Sequence, residues 1–406
     1  MELVVQKYGG SSVANADLIR NVAQRICQTS KGGAQVVAVV SAMGDTTEDL
    51  IALAKKVAGS PDVRELDLLL STGELVSSTL LAMAIRSLGH EAISLSGFQA
   101  GIRTDSRYGK ARISAVETER IKEEMDKGRL VVVAGFQGIT EDMDVTTLGR
   151  GGSDTTAVAL AAALEAQRCE IYTDVDGIYT ADPQVVPGAR KLERIDYEEM
   201  LELASYGAKM HPRSIELGSV YNVPIYVASS FSETSGTLIE KGIASAMEQR
   251  VKVTGIPYDR NVARITLRRV PDHPGIAAAL FEPLSNEGIS VDTIVQNSGS
   301  DKLTDLSFTL ARTELERALE IVAPVAESVG AEEVTSDATL SKVSIIGSGM
   351  QHAPGYASRM FRALAENNIN IEMITTSEIR ITCIVPESVV HEATRVLHDA
   401  FELDQG

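Results

Sequence analysis

Short apolar runs alternate with amphipathic segments over residues 1–245 of the chain. The segment at residues 14–27 places its apolar side chains on one helical face. The Ala- and Leu-rich segment at 154–166 begins at Asp154, a residue type that can cap a helix N-terminus. The apolar runs predict strands at residues 3–5, 35–40, 92–95, 130–134, 170–173 and 224–227. This alternation is typical of a mostly parallel sheet with helices on both faces.

An internal repeat follows the weakly periodic stretch near residue 245. Pro274-Gly275 recurs as Pro354-Gly355, 80 positions later. The same offset relates Phe281, Leu284, Ile289, Asp292 and Ile294 to Phe361, Leu364, Ile369, Glu372 and Ile374. Each copy predicts a strand, a Pro-Gly turn, a helix and a second strand. The tail is therefore expected to hold two copies of a small α+β module.

Length and charge narrow the classes of protein that fit. The chain has 406 residues, enough for two or three domains, and 56 acidic against 38 basic side chains give a net charge of −18. This surplus argues against nucleic acid or an anionic membrane surface as partners, since both select basic faces. No apolar run approaches the ~18 residues of a membrane span, and no signal-peptide pattern opens the chain. We expect a cytoplasmic protein with no membrane partner.

The cysteines and histidines indicate neither a disulfide framework nor a metal centre. Cys27, Cys169 and Cys383 are odd in number and far apart, so buried thiols are expected. His211 and His352 lack a second ligand at metal-binding spacing. No residue is assigned as a metal ligand.

Two glycine-rich loops are candidates for anion binding. The first, residues 7–12, carries Lys7 and two glycines directly after a predicted strand. Glycines let backbone N–H groups approach phosphate oxygens, although a plain turn fits the pattern equally well. The second, residues 149–156, places Arg150 among three glycines at the start of the Ala-rich helix. Arginine can grip a carboxylate with two hydrogen bonds, and a helix N-terminus favours anions.

Other polar clusters lie at the ends of predicted strands, where open parallel sheets bind ligands. They follow three of the strands, at residues 41–47, 135–138 and 173–183. Glu74 stands near a predicted helix and is also compatible with a solvated acid.

These motifs, in this order, resemble the aspartate kinases of the amino acid kinase family. The matching runs are KYGGSS, SAMGDTT, STGE, AGFQG, TTLGRGGSDTTA and YTDVDGIYTADP. The tail copies, with GISVDTI and NINIEMITTSE, resemble ACT domains, which bind small amino acids. The resemblance implies an α/β three-layer αβα sandwich with a mostly parallel sheet, followed by two α+β (ferredoxin-like) ACT domains. It also implies ATP-dependent phosphorylation of the β-carboxylate of L-aspartate, the first step towards lysine, threonine and methionine.

The resemblance implies roles for individual residues. Lys7 would stabilise the γ-phosphoryl group and Asp154 would orient Lys7, as the two catalytic residues. The aspartate site would comprise Thr47, Glu74, Phe136, Arg150, Gly151, Gly152 and Ser153. The ATP site would comprise Lys7, Tyr8, Gly9, Gly10, Ser41, Thr173, Asp174, Tyr179, Asp182 and Lys209, with Mg²⁺ bridging the phosphates. Gln184 departs from the arginine often found there in the family, which puts one phosphate contact in doubt.

The tail modules imply feedback control by lysine, threonine or both. The effector pockets would be lined by Asp272, Ala277, Asp292 and Gln296 in the first module and by Asn368, Asn370, Ile371 and Thr376 in the second. The implied domains are a catalytic domain at 1–245 and ACT domains at 262–335 and 336–406, the second with strand 251–261 added. Pairing of ACT domains implies a homodimer. Some relatives have a shorter subunit that starts at an internal methionine, for which Met247 is a candidate.

Other functions remain open at this point. The chain could instead be an acetylglutamate, glutamate or UMP kinase, although Arg150 and Glu74 favour a free α-amino acid. It could also be an amino-acid sensor with an inactive kinase domain, against which the presence of Lys7, Arg150 and Asp154 argues. A nucleotide-binding dehydrogenase would need G-x-G-x-x-G after the first strand, and Gly9-Gly10 does not supply it.

Overall fold

The computed structural model describes residues 2–405, except 208–209, 243–252, 299–301 and 351–353. Met247, Lys209 and His352 lie outside the described residues. The chain forms two compact units, the first made of Met1–Tyr179 and Lys191–Glu248 and the second of Thr180–Arg190 and Gln249–Gly406.

The first unit contains twelve strands and seven α-helices within its described residues. The strands are β1 (Leu3–Tyr8), β2 (Gln35–Val40), β3 (Ala92–Leu95), β4 (Ile102–Thr104), β5 (Ile113–Val116), β6 (Leu130–Ala134), β7 (Gln137–Ile139), β8 (Val145–Thr147), β9 (Arg168–Thr173), β10 (Arg194–Ile195), β11 (Ile225–Ser229) and β12 (Thr237–Ile239). The helices are α1 (Ala16–Lys31), α2 (Thr46–Val57), α3 (Val63–Ser87), α4 (Glu119–Asp126), α5 (Gly152–Ala163), α6 (Tyr197–Ser205) and α7 (Pro212–Tyr221).

An eight-stranded sheet forms the middle layer of this unit, in the order β10-β12-β11-β9-β1-β2-β6-β3. All pairs are parallel except β11 with β12. On one face, Val36 and Val40 pack with Ile19 of α1 and Leu81 of α3. Side chains alternate along a strand, so Val37 and Val39 face the opposite side, where α5 contacts β1, β2 and β9. A smaller sheet, β5-β4-β7-β8, belongs to the same unit.

The six predicted strands are confirmed as β1, β2, β3, β6, β9 and β11. Their burial on both faces explains why they read as continuous apolar runs. The predicted start of the Ala-rich helix at Asp154 is wrong. Helix α5 begins at Gly152, and Gly151 occupies the N-cap position in the left-handed region.

The second unit contains six strands and four α-helices within its described residues. They are β13 (Tyr258–Pro271), β14 (Val291–Ser298), β15 (Leu303–Leu310), β16 (Glu333–Ile346), β17 (Met373–Thr376) and β18 (Arg380–Pro386), with α8 (Ile276–Asn286), α9 (Leu315–Ser328), α10 (Tyr356–Glu366) and α11 (Val390–Ala400). The strands form one antiparallel sheet in the order β14-β15-β13-β16-β18-β17. The long strands β13 and β16 lie at the centre of this sheet and are shared by both modules.

Two segments outside the repeat complete this unit. Tyr258 and Asp259 pair with Val343 and Lys342 of β16, so the chain just before the first module runs beside the first strand of the second. Residues 180–190 also pack here, because Val185 and Val186 are buried in the core around Val343. The predicted catalytic domain at 1–245 had included this segment.

The repeat is visible in the backbone. Gly275 and Gly355 precede α8 and α10 with φ/ψ of 102/−14° and 106/−14°. Both helices have 11 residues. A Cβ added at either glycine would meet no heavy atom within 4 Å. The glycines are therefore required by their φ angles and not by crowding.

Helix α3 is the one described helix that is long and apolar enough to cross a membrane, judged by length and composition alone. Half of its apolar window is buried inside the protein, and a core helix passes the same test. Asp67 and Glu74 lie on its buried side.

Gly275→Ala and Gly355→Ala should each lower the free energy of unfolding of the second unit by about 1–2 kcal/mol, because a Cβ is disfavoured at positive φ. Urea denaturation of each variant measures this change. Gly59→Ala is the matched control, since its added Cβ also meets nothing within 4 Å and its φ is not positive. Equal stability of all three variants would contradict the assignment.

Candidate active site

The carboxyl ends of β9, β1, β2 and β6 meet at one edge of the large sheet. Chain order reverses beside β1, since β2 lies on one side of it and β9 on the other, which is the usual binding position in such sheets. Hydrogen bonds tie the loops together there: Ser41 N–H donates to Tyr8 O at 3.1 Å, and Gly135 N–H donates to Val40 O at 3.0 Å. The edge carries most of the residues that the motifs singled out.

Lys7 and Asp154 form an ion pair at the centre of this edge. The Nζ–Oδ1 distance is 2.6 Å, and both side chains are about nine-tenths buried. Lys7 lies on β1 between Val39 of β2 and Ile171 of β9, while Asp154 lies in the first turn of α5. The predicted pair is thus brought into direct contact. Asp154 is not the cap of α5.

The first glycine loop lies close to its neighbours, and a side chain is excluded at Gly10. Gly9 N–H donates to Tyr172 O at 3.2 Å, and Gly44 N–H donates to Gly10 O at 3.1 Å. A Cβ on Gly10 would lie 2.9 Å from Ala42 O, and one on Gly9 would lie 3.5 Å from Lys7 Nζ. The loop therefore presents backbone beside the Lys7 ammonium.

The second glycine loop positions Arg150 at the mouth of the site. Gly149 and Gly151 have φ of 75° and 69°, which only glycine adopts freely. Arg150 between them is exposed, whereas Ser153 is buried at the start of α5. The loop thus carries an exposed guanidinium group between two glycines of left-handed conformation.

Side chains of helix α7 support the second glycine loop by packing and hydrogen bonding. A Cβ on Gly151 would lie 2.3 Å from His211 Cβ, so the His211 side chain fills the space there. The Arg213 guanidinium donates to Leu148 O at 2.7 Å and to Ala111 O at 3.0 Å. Burial, with the nearby Arg213 charge, lowers the pKa of His211, so its ring is neutral at pH 7. His211 also caps α7.

Phe136 is in a strained conformation at the end of β6. Its φ is 69°, which is uncommon for a bulky side chain, and its N–H donates to Thr156 Oγ1 of α5 at 3.1 Å. Gly152 lies against it, since an added Cβ would be 2.9 Å from Phe136 Cδ2. Strained residues concentrate at binding sites, which agrees with the predicted position of Phe136 beside the substrate.

Glu74 of α3 is buried with one oxygen unpaired. Its Oε1 accepts from Ala42 N–H at 3.0 Å, and its Oε2 has no hydrogen-bond partner among the described residues. Burial raises the pKa of Glu74 to about 8, although the bond from Ala42 opposes the rise. A buried carboxyl group without a cation is costly, so this geometry suits a cationic ligand. The solvated-acid alternative for Glu74 is wrong.

The residues predicted to contact ATP differ in where the structure places their side chains. Ser41 and Thr173 lie at the ends of β2 and β9, and Asp174 is exposed next to Thr173. The Tyr179 hydroxyl donates to Asp176 Oδ1 at 3.0 Å. The Tyr8 ring is fully buried and stacks on Tyr172, so the side chain of Tyr8 points away from the loop.

Two positions of the predicted ATP motif, Asp182 and Gln184, fall outside the first unit. Asp182 belongs to the second unit, where it accepts from Tyr258 Oη at 3.3 Å. Gln184, also in that unit, is exposed and donates its N–H to Asp182 Oδ1. Lys209 lies outside the described residues.

Comparison with known proteins identifies the family to which this chain belongs. A model of the amino acid kinase family matches residues 2–229, and an ACT domain model matches 268–324 and 343–401. The aspartokinase of Mycolicibacterium smegmatis is 49% identical, over 99% of this chain and 97% of its own. Aspartokinase 2 of Bacillus subtilis is 46% identical, over 100% and 99%. The chain belongs to the aspartate kinases of the amino acid kinase family.

Solved structures of a related aspartokinase align with nearly the whole of this chain. E. coli aspartokinase III in complex with aspartate and ADP aligns with a TM-score of 0.82 at 26% identity, covering 98% of this chain and 99% of its own. The complex of that enzyme with lysine and aspartate gives a TM-score of 0.77 at 26% identity, covering 99% and 100%. The predicted fold class and aspartate kinase activity with ATP are confirmed.

Sequence reasoning missed a polar stripe on the buried face of α3, the helix that carries Glu74. Asp67 accepts from the N–H groups of Gly109 and Thr147, both at 2.8 Å. Ser71 O accepts from Gln137 Nε2 at 2.8 Å. Ser77 Oγ donates to Ser41 O at 2.7 Å. Helical spacing of these polar residues within an apolar segment was a usable signal.

The predicted effector residues lie in both modules of the second unit. Asp292 of β14 forms an ion pair with Lys342 of β16. Asn370 Nδ2 donates to Glu372 Oε1 at 3.3 Å. The other predicted residues are placed after β13 (Asp272), at the start of α8 (Ala277), on β14 (Gln296), after α10 (Asn368 and Ile371) and on β17 (Thr376).

A cavity of about 320 Å³ opens at the Pro-Gly turn of the second module. Its lining includes Pro354, Gly355, Thr376 and Ile381. Of the predicted effector residues, the structure brings Thr376 to this cavity.

Proposed function

We propose that phosphoryl transfer occurs at the β9-β1-β2-β6 edge, with Lys7 as the cation that stabilises the transferring group. The observation that carries this proposal is the buried Lys7–Asp154 ion pair at 2.6 Å, next to the backbone of Gly9, where an added Cβ would lie 3.5 Å from Lys7 Nζ. A fixed cation and oriented amides stabilise charge on a phosphoryl group without reorganisation.

No general base is needed in this reaction. The accepting β-carboxylate of aspartate has a pKa of about 4 and is ionised at neutral pH. Asp154 is therefore a positioning residue, holding the Lys7 ammonium in place through its carboxylate. What the site must provide is alignment of the two anionic substrates and compensation of their charge.

The aspartate would bind between α3 and the second glycine loop. Glu74 would take the α-ammonium group on its unpaired Oε2, and Arg150 would take the α-carboxylate. Phe136, Ser153 and Thr47 line the same edge and would fix the orientation of the β-carboxylate. Two opposite charges at fixed positions select an α-amino acid over an N-acylated one.

The nucleotide would lie across the β1–β9 side of the edge, contacted by Ser41, Thr173, Asp174 and Tyr179. A Mg²⁺ ion bound with it would neutralise charge on the β- and γ-phosphates. The described ranges contain no cluster of three or more His, Cys, Asp or Glu side chains suited to a metal. The phosphates would thus supply most of the ligands of this ion.

The second unit would bind an effector amino acid. E. coli aspartokinase III has been solved with lysine as well as aspartate, which supports lysine as the effector class. The cavity at the second Pro-Gly turn is of amino-acid size, and Thr376 offers it a hydroxyl group. Differential affinity for two states of the chain would then change the activity.

The two modules would also pair with those of a second chain. Ile294 and Ile374 are 80 positions apart and are both about half exposed, on the outer strands β14 and β17 of the sheet. Exposed apolar side chains on open edge strands are typical of an interface. A shorter subunit starting near Met247 stays a prediction, as does the cytoplasmic location.

Lys7→Ala should lower kcat by about 10²–10³-fold, because a fixed charge on the transferring group is lost. Asp154→Asn should lower kcat less, since Lys7 remains but is no longer held. Hydroxamate formation from aspartate and ATP measures both. Lys55→Ala, on the exposed side of α2, is the control. Full turnover by Lys7→Ala would contradict the role assigned to Lys7. Greater activity with glutamate than with aspartate would contradict aspartate as the substrate.

The KM for aspartate should fall as pH rises towards 8. The pKa of the empty Glu74 carboxyl is about 8, so at pH 6–7 it is mostly protonated and must lose its proton to bind an ammonium group. Linkage limits the change to about tenfold per pH unit. Steady-state kinetics between pH 6 and 9 measure it, with the KM for ATP as an internal reference.

Glu74→Gln should remove this pH dependence and raise the KM for aspartate by about 10–100-fold, since a charge-assisted hydrogen bond is lost. Glu48→Gln, an exposed acid on α2, should leave both unchanged. A wild-type pH profile retained by Glu74→Gln would remove Glu74 from the ammonium site.

Lysine should inhibit the enzyme, and assays with lysine and threonine, singly and together, measure the response. Thr376→Ala should raise the half-inhibitory lysine concentration by about fivefold, as expected for one lost hydrogen bond. Thr375→Ala, the next residue on β17, does not line the cavity and is the control. The feedback proposal fails if no combination of the two amino acids changes the rate.

A further inference from the structure

A second cavity of the first unit opens between β5, α5 and α7. Its volume is about 550 Å³, which is within the range of small-molecule binding sites. None of its lining residues belongs to the predicted aspartate or ATP sites. The cavity is therefore a candidate for a ligand that takes no part in phosphoryl transfer.

Much of the lining of this cavity is apolar. On the α5 side it consists of Ala159, Ala162 and Ala163, whose side chains are single methyl groups. On the α7 side it includes Val220 and Tyr221, which are 76% and 62% exposed. Large apolar side chains left open beside a cavity suit the apolar part of a ligand.

Two guanidinium groups lie near one another in the same lining. Arg213 is in the first turn of α7, and its guanidinium donates to Ala111 O at 3.0 Å, next to Arg112 in the chain. Burial and the nearby Arg112 charge lower the pKa of Arg213. An anion bound between the two guanidinium groups would offset their repulsion, and arginine suits a carboxylate by its two-pronged geometry.

The Arg112 side chain is available to such an anion. Its backbone N–H donates to Asp105 Oδ1 at 3.0 Å, and the Asp105 carboxylate pairs with Arg107 at 2.9 Å. The exposed guanidinium of Arg112 itself has no ion-pair partner among the described residues. Glu216, one turn beyond Arg213, also lines the cavity, and its charge would repel a second anionic group on the ligand.

We propose that this cavity binds an amphipathic monocarboxylate. The carboxylate would lie between Arg112 and Arg213, and the apolar body would extend along the alanines of α5 towards Val220. Arg213 and Val220 are seven residues apart on α7, or about 10 Å at 1.5 Å per residue, which matches an alkyl chain of roughly eight carbons. Binding does not depend on the roles assigned to the active-site residues.

Isothermal titration calorimetry of the full-length enzyme tests the class of ligand. Octanoate should bind with a Kd of about 1 mM or below, as expected for a ligand of this size. Octylamine, with the same body and the opposite charge, and acetate, which lacks the body, should show no binding at about 10 mM. Binding of octylamine as tight as that of octanoate, or no binding of octanoate, overturns the proposal.

Octanedioate tests the preference for a single charge. Its second carboxylate would lie at the apolar end of the cavity and would add repulsion from Glu216, so its Kd should exceed that of octanoate by about fivefold or more. Equal Kd values for the two acids would contradict the proposed orientation of the ligand.

Substitutions in the lining test the location. Arg112→Gln should raise the Kd for octanoate by about tenfold, because a charge-assisted hydrogen bond is lost. Ala162→Phe should abolish binding, since the added ring would occupy the space of the apolar body. Arg20→Gln, an exposed arginine on α1 outside the cavity, is the matched control. Unchanged affinity of Arg112→Gln would place octanoate elsewhere on the protein and overturn the proposal.

Competition separates this cavity from the other two sites. Saturating aspartate with ADP, or saturating lysine, should leave octanoate bound. The reason is that the lining shares no residue with the candidate active site or with the cavity at the second Pro-Gly turn. Displacement of octanoate by either addition would overturn the proposal.

A bound carboxylate should also act on the second glycine loop, a consequence that rests on the proposed role of Arg150. Arg213 donates to Leu148 O at 2.7 Å, directly before that loop. By offsetting the repulsion between Arg112 and Arg213, the carboxylate should stabilise this contact and lower the KM for aspartate by about threefold, without changing the KM for ATP. An unchanged KM for aspartate in steady-state kinetics with octanoate would contradict this coupling, whereas calorimetry tests the binding site separately.

Discussion

The buried ion pair between Lys7 and Asp154 is the interaction on which the rest of the site depends. Removing two charges from water is expensive, and their attraction offsets this only when the geometry is good. Strand β1, held between β2 and β9, fixes Lys7, and the first turn of α5 fixes Asp154. The glycines of the two loops have local causes: an added Cβ on Gly10 would meet Ala42 O, one on Gly151 would meet His211, and Gly149 has a positive φ.

Helix α3 connects the substrate site to the surface. Its buried side carries Asp67, which holds the chain near Gly109 and Thr147, and Glu74, whose second oxygen is unpaired. Its outer side carries exposed apolar side chains, among them Val76 and Met83. One 25-residue helix is therefore apolar enough to pass for a membrane span, although its composition is explained by a polar buried stripe and an exposed apolar one.

The two tail modules show how duplicated sequence produces duplicated geometry. Gly275 and Gly355 adopt the same left-handed conformation before helices of equal length. The modules are nevertheless not independent, because β13 and β16 run through both. The two modules therefore share one continuous sheet.

The sequence alone determined six of the twelve strands of the first unit, the repeat, the order of the motifs and the family, because buried parallel strands and backbone-limited glycines leave local signals. It left Glu74 ambiguous, misplaced the start of α5 at Asp154 and missed Arg213 and Asp67. The resemblance already implied that Asp154 acts on Lys7, whereas Arg213 and Asp67 act on backbone groups of loops that are distant in sequence. Only the tertiary structure decided these roles, since burial and long-range hydrogen bonds exist only once the chain has folded.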